Sequence, residues 1–342
     1  MHMTMNVRRV AGAGFAMALG LSVSLAATAA RADETIRILC PTWSGFAPVF
    51  VAQDLGYFKK LGIDVSIKFE DERANVMAAM ARGDIEMDMR TVGEYQGKPR
   101  DAQTPGIIIG TIDESLGGDG VLTPGDITSV EQLKGKTVAS EPNIPGRLLL
   151  QMALKKKGMS LSDLVVKQIA TADTVAILTD TSIDAVVSYQ PYLSQAVDKV
   201  PGRKPHILVS SAQYPGIIVD IITARQDDLK ANPEKYKKFM IGIFKAVEYF
   251  NTNKADFIKL AAPHFNLTPD EFAASIEGSL VYTGHKENTG YFGKPGAPGT
   301  LYGTFDEVMQ LNIENGAAEN NLKAAEQIDN SIVASITEAD LK

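Results

Sequence analysis

Short apolar runs alternate with stretches whose apolar positions recur every three or four residues, the signature of strands interleaved with amphipathic helices. TIRILC, residues 35–40, predicts a first strand, and residues 46–58 predict a helix carrying Val49, Phe50 and Leu55. DVSIKF, residues 64–69, alternates with period two and predicts a half-buried strand. Residues 73–81 predict a helix with Val76, Met77 and Met80 on one face, ended by Gly83. Residues 84–89 predict a strand, and GIIIGTI, residues 106–112, predicts one apolar enough to be buried on both faces.

The alternation restarts after Pro124. Residues 128–133 predict a short helix and 136–139 a strand. Residues 145–157 predict a helix that opens on Pro145 and ends on three lysines, an arrangement that suits its dipole. Residues 165–170, 183–187 and 207–210 predict strands, with helices at 173–178 and 190–197. The last third is helical. Asn232-Pro233 starts a long helix with a core stripe of Tyr236, Phe239, Met240, Ile243, Phe244, Val247 and Phe250. Thr268 with Glu271, and Thr304 with Glu307, have capping-box spacing, and the Gly/Pro-rich residues 284–300 predict an irregular loop.

Strand–helix alternation implies parallel sheets covered by helices. The fold class is therefore α/β, with two parallel-sheet lobes joined by a two-strand hinge. Lobe 1 is expected over residues 33–121 and 222–342, and lobe 2 over 122–221. The crossings are expected near residues 121–124 and 217–223, a double connection suited to closure around a ligand.

The N-terminus narrows the class further. Arg8 and Arg9, an apolar run over residues 10–25, and Ala30-Arg31-Ala32 have the order of a cleaved secretory signal peptide, assigned to residues 1–32. That order predicts a periplasmic location. Removing the segment's three arginines takes the formal charge from −7 to −10. An acidic chain of this kind argues against nucleic acid as a partner. Cys40 is the single cysteine, so an internal disulfide and a cysteine metal cluster are excluded. No metal or other cofactor is expected. No G-x-S-x-G, H-E-x-x-H or Cys–His pair with context occurs, and His206, His264 and His285 are scattered beside Pro or Gly in loops. A secreted hydrolase is therefore the lesser alternative, and no catalytic residue is assigned.

In open α/β sheets ligands sit beyond the carboxyl ends of the strands. The segments read as following each strand supply Trp43, Thr91, Asp113, Ser115, Asn143, Tyr189 and Gln190. Trp43 can wall a small pocket, or pack within its lobe. Asp113 can accept from a ligand amine, as can Asp119 less favourably placed, or both can serve their own Gly-rich turn. Asn143 precedes a helix N-terminus whose free N–H groups favour an anionic group, or it caps that helix. Asp220 is a charge inside the apolar strand PGIIVDIITA, costly to bury without a partner.

At these positions the chain resembles the ABC-importer binding proteins for aliphatic sulfonates, taurine, nitrate and thiamine-precursor pyrimidines. The resemblance rests on APVFVAQDLGYFKKLGIDV, AAMARGDIEM, DESLGGDG, ITSVEQLKGKTVASE, SIDAVVSYQPYL and YPGIIVDIITAR, in family order through most of residues 35–225. It implies a two-lobed periplasmic-binding-protein fold with the ligand between the lobes. It also implies a membrane permease and a cytoplasmic ATPase as partners, and ligand contacts at Trp43, Thr91, Asp113, Ser115, Asn143, Tyr189, Gln190 and Asp220. The family often has Trp-Glu-Pro where this chain has Tyr189-Gln190-Pro191, which removes one carboxylate from a cationic clamp. The cysteine-rich motif of the pyrimidine-synthesising relatives has no counterpart here. The expected function is capture, by a monomer, of a small polar compound for import: a sulfonate, a taurine-like molecule or a nitrogen compound. An aminopyrimidine-type heterocycle stacked on Trp43 is the alternative, and delivery to a sensor is a further one.

Overall fold

The computed structural model describes residues 34–101 and 105–342. The expected signal peptide lies outside them. Two mixed sheets organise the described chain. In chain order the strands of these two sheets are β1 (Thr35–Cys40), β2 (Asp64–Phe69), β3 (Met87–Thr91), β4 (Gly106–Ser115), β5 (Asp119–Thr123), β6 (Thr137–Ser140), β7 (Val165–Gln168), β8 (Ala185–Tyr189), β9 (His206–Ser210), β10 (Val219–Arg225) and β11 (Leu280–Tyr282). The first sheet has the order β11-β4-β10-β3-β1-β2 and the second β7-β6-β8-β5-β9.

Each sheet is parallel except for the strand that follows a crossing and, in the first sheet, an edge strand. β10 runs antiparallel to β3 and β4, and β11 antiparallel to β4. β5 runs antiparallel to β8 and β9. The expected sheets are thus mixed. Parallel neighbours need a covering crossover, whereas a strand arriving directly from the other lobe enters reversed.

The crossings also move. β5 already belongs to the second sheet and β10 to the first, so the chain passes between sheets at residues 116–118 and 211–218. These lie earlier than the expected 121–124 and 217–223. β4 runs on past Ile112 to Ser115, because β10 and β11 pair with it there. The helix Pro145–Lys156 starts as expected at its proline, with Ile144 as N-cap, and Asn143 sits one residue before, left-handed at φ 63°. Asn143 is therefore not a helix cap.

The helix Pro233–Thr252 buries its predicted stripe against Ala47–Asp54, and Phe58 stacks on Phe239 at 5.3 Å. Each such side chain contributes about 1.5–3 kcal/mol by leaving water. The box of Thr268 and Glu271 forms. The box of Thr304 and Glu307 does not, because the helix Thr300–Glu314 begins four residues earlier. The expected loop over 284–300 contains the helix His285–Phe292. Glu287 accepts from the Gly284 N–H at its start, and buried Asn288 bridges Thr111 and Thr283.

Candidate functional site

The site begins with strand register. Asp220 on β10 lies opposite Asp113 on β4 and Thr91 on β3, and Asp113 lies opposite Tyr282 on β11. Directly paired residues project to one face, so Thr91, Asp220, Asp113 and Tyr282 form a row across the first sheet. A register shift after Asp220 ends the regular ladder at this row. In the second sheet Asp119, the first residue of β5, lies opposite Tyr189, the last of β8. Two acidic and aromatic rows thus come from different sheets and meet where the chain crosses.

Trp43 closes one side. Its Nε1–H donates to both carboxylate oxygens of Asp113 at 3.1 Å, and its ring meets Tyr189 edge-on at 6.1 Å. Gly45 permits this approach. A Cβ there would fall 2.1 Å from Asp113 Oδ2 and 2.1 Å from Trp43 Nε1. Gly118 likewise lies under the Trp43 ring, where a Cβ would come within 2.5 Å of it.

A small inner chamber results, walled by Pro41, Trp43, Thr91, Glu94, Asp119, Pro145, Tyr189 and Asp220. It measures ≈ 20 Å³, room for about one water. An outer chamber of ≈ 270 Å³ adjoins it, sharing Thr91, Glu94 and Pro145. Both lie between the lobes, whose apolar side chains pack continuously from Val92, Tyr95 and Val308 to Val121, Leu149 and Val187. The inner chamber alone has no room for a ligand of several atoms. A larger depression, ≈ 690 Å³, lies against the C-terminal residues and holds none of the expected positions.

The inner chamber is strongly acidic. Burial raises the carboxyl of Asp113 well above its usual range, although the Trp43 donor opposes this. Asp220 is raised well above its usual range by burial and by the adjacent Asp113. Burial pushes Asp119 up to about 7, against a hydrogen bond from Ser115. Among the described residues no Lys or Arg lines this chamber. The guanidinium of Arg90, next to Thr91 in β3, is turned to Glu94 at 3.4 Å and Asp88 at 3.9 Å.

Of the expected residues, Trp43, Thr91, Tyr189 and Asp220 line the inner chamber, and Asp113 lies directly behind Trp43 and Asp220. Asn143 lines only the outer chamber. Ser115 and Gln190 line neither. Ser115 bonds Ser211 at 2.8 Å across the two crossings, and the Gln190 side chain accepts from Ser194 N at 3.2 Å. Asp113 and Ser115 sit within β4, not in a loop, and the turn shrinks to residues 116–118. Glu94 was missed. The spacing Thr91-x-x-Glu94 is a capping-box signal, and both halves of the box form. Among the described residues no group of three His, Cys, Asp or Glu is arranged to hold a metal ion.

The sequence profile of the family described as NMT1/THI5 like matches residues 43–255. A Brucella abortus protein named as a binding protein is 24% identical over 240 residues, 69% of this chain and 73% of its own. A Saccharomyces cerevisiae 4-amino-5-hydroxymethyl-2-methylpyrimidine phosphate synthase is 24% identical over 258 residues, 72% of each. The alkanesulfonate-binding protein of Xanthomonas axonopodis pv. citri, solved with MOPS, superposes with a TM-score of 0.71 at 14% identity, covering 87% of this chain and 99% of that one. The two-lobed architecture is that of the periplasmic binding proteins.

Proposed function

Because this chain belongs to the NMT1/THI5-like family, we propose that it is a solute-binding protein that closes on a small nitrogenous base and delivers it to an ABC importer. The observation that carries this is the inner chamber: Asp119, Asp220 and the underlying Asp113 converge there beside Trp43 and Tyr189, with no cation among the lining residues. Buried carboxylates without counter-charge accept protons or a cationic ligand. An amine or amidine supplies N–H donors and positive charge together, and charge-assisted bonds of this kind are the strong ones. Where these carboxyls are ionised, an anion such as nitrate or a simple sulfonate meets like charge.

The aromatic walls favour a flat head. An aminopyrimidine-type heterocycle, whose ring lies against Tyr189 or Trp43, is the narrower form of the reading, and the kinship with a pyrimidine phosphate synthase supports it. Binding is preferred over turnover because Cys40, His206, His264 and His285 line neither chamber. Trp43, Thr91, Glu94, Asp119, Tyr189 and Asp220 are the proposed contacts, with Asp113 orienting Trp43 and Asp220. The proposed partners are a permease and its ATPase, reached from the periplasm after signal-peptide removal, with the binding protein acting as a monomer.

The test is calorimetry and thermal shift with 4-amino-2-methylpyrimidine, benzamidine and propylamine beside nitrate and methanesulfonate. The bases bind, and Asp220→Ala weakens them by about 1–3 kcal/mol. Binding of the two anions with none of the bases overturns the reading.

A further inference from the structure

Three arginines crowd together on the face of the first sheet that is turned away from the inner chamber. Alternation along β3 puts Asp88 and Arg90 on the side opposite Thr91, and each is 5% exposed. Arg73, the first residue of the helix Arg73–Arg82, and Arg100 reach the same place. All three guanidiniums are tied to two adjacent residues of the short helix Val92–Gln96. Arg73 Nη2 donates to the Glu94 carbonyl, Arg100 Nη2 to the Tyr95 carbonyl at 2.6 Å, and Arg90 Nη1 to the Glu94 carboxylate at 3.4 Å. Arg100 also lies over the Tyr95 ring, 3.6 Å from its centre. Its Nη1 and the methyl of Thr223, the residue opposite Asp88, fall 3.4 and 2.5 Å from where a Cβ on Gly106 would sit.

Part of this is helix capping. Carbonyls at the end of a helix attract cations, and Nη2 of Arg73 and of Arg100 satisfies one each. Capping leaves the other groups unexplained. Arg73 Nε, Arg90 Nε, Arg90 Nη2 and Arg100 Nε are buried with no hydrogen-bond partner among the described residues, and so is Asp88 Oδ1. Arg90 Nε stands 3.9 Å from Asp88 Oδ2, beyond hydrogen-bond range.

The charges do not balance either. Three cations face two carboxylates, Asp88 and Glu94, which leaves one positive charge over. Burial raises the pKa of Asp88, and a proton there widens the excess. Burial and then the charge of Arg90 bring Arg73 down to about 10. Asp101, next to Arg100 in the chain, is exposed, where solvent weakens its field. Water can meet a lone N–H, but it does not remove a net charge held inside the protein.

We propose that this cluster binds a small inorganic anion of chloride size, held by the N–H groups that Arg73, Arg90 and Arg100 leave over. The proposal is independent of what enters the inner chamber, although the two sites share Glu94. One oxygen of that carboxylate faces Arg90 and the other accepts from Thr91. The anion fixes Arg90, and Arg90 fixes Glu94.

Bromide, a heavier equivalent of chloride, gives the direct test. Crystals of the wild type grown in sodium bromide show anomalous scattering within hydrogen-bond distance of Arg90 Nε or Nη2. In solution the melting temperature rises further in sodium chloride than in sodium gluconate at equal ionic strength, and the difference saturates as a site fills. Arg100→Gln removes one donor and the surplus charge, and raises the chloride midpoint at least about tenfold. Lys98→Gln, in an exposed pair with Glu319, leaves that midpoint unchanged. Chloride and gluconate curves that coincide overturn the proposal, as does an unchanged midpoint in Arg100→Gln. If Arg100→Gln does not fold, the wild-type crystals decide, and bromide found only at the surface overturns the proposal.

Discussion

Replacing Asp119 with asparagine makes the protein more stable and a worse binder, and the stability gain depends on pH. The carboxyl of Asp119 is buried at 2% exposure, and burial pushes its pKa from 3.8 up to about 7. In the unfolded chain the same group ionises near 3.8. Between those values the folded state binds the proton and the unfolded state does not, so this residue's contribution to stability falls as pH rises. The loss begins near pH 4 and levels off above pH 7. Its full size is about 4 kcal/mol, taking about 1.4 kcal/mol per tenfold change in proton affinity. Asparagine does not ionise, and its Oδ1 can still accept the Ser115 hydroxyl. Urea unfolding of ligand-free protein at pH 4.5, 6, 7 and 8 measures the difference. The variant exceeds wild type by only about 1 kcal/mol near pH 4.5 and by about 2–4 kcal/mol at pH 8. Calorimetry at pH 7 with benzamidine shows weaker binding by the same variant. A stability difference that does not change with pH, or one that turns against the variant as pH rises, refutes the reasoning that desolvation of this carboxylate is what the fold tolerates for the sake of a cation.

Two further substitutions probe the scaffold of the site and of the lobe. Gly45→Ala places a methyl 2.1 Å from both Asp113 Oδ2 and Trp43 Nε1; displacement of Trp43 lowers the melting temperature, changes the intrinsic fluorescence of the single tryptophan and abolishes ligand-induced shifts. Thr268→Ala removes the hydroxyl that accepts from Glu271 N at 3.3 Å; it costs about 1 kcal/mol in urea unfolding, as loss of an N-cap does, and leaves ligand affinity unchanged.

How much was legible follows from how local each signal is. The strands β1 and β2 and the core stripe of the long helix were readable because alternation and helical spacing are carried by neighbouring residues. Trp43 and Asp220 stood out because a lone tryptophan in a loop and a charge inside an apolar strand break a local pattern. The ends of β3 and β4 were not readable. They are set by pairing with β10 and β11, which come more than a hundred residues later in the chain. Stopping β3 at Met89 placed Thr91 in a loop and hid the capping box that brings in Glu94. Stopping β4 at Ile112 made a loop of Asp113 and Ser115, and only the register shows that Asp113 sits beside Asp220. The Gly/Pro-rich residues 284–300 became partly helical because buried Asn288 finds partners on Thr111 and Thr283. Tertiary partners there override weak local propensity. The Thr304–Glu307 spacing failed for the opposite reason: burial of Leu301 and Phe305 carries the helix back past it.

The reversed strand β5 has a consequence for how such proteins can diversify. The chain enters the second sheet through β5 and leaves it through β9, and these strands are hydrogen-bonded neighbours with Gly120 opposite Ser210. Residues 119–210 therefore form a cassette whose two ends share one doorway. Exchange of that cassette with a relative's lengthens neither connection, the condition under which insertions and grafts are tolerated. Asp119, Asn143 and Tyr189 travel with it, while Trp43, Thr91, Asp113 and Asp220 stay behind. A single recombination event thus confronts one half of a recognition surface with a new other half.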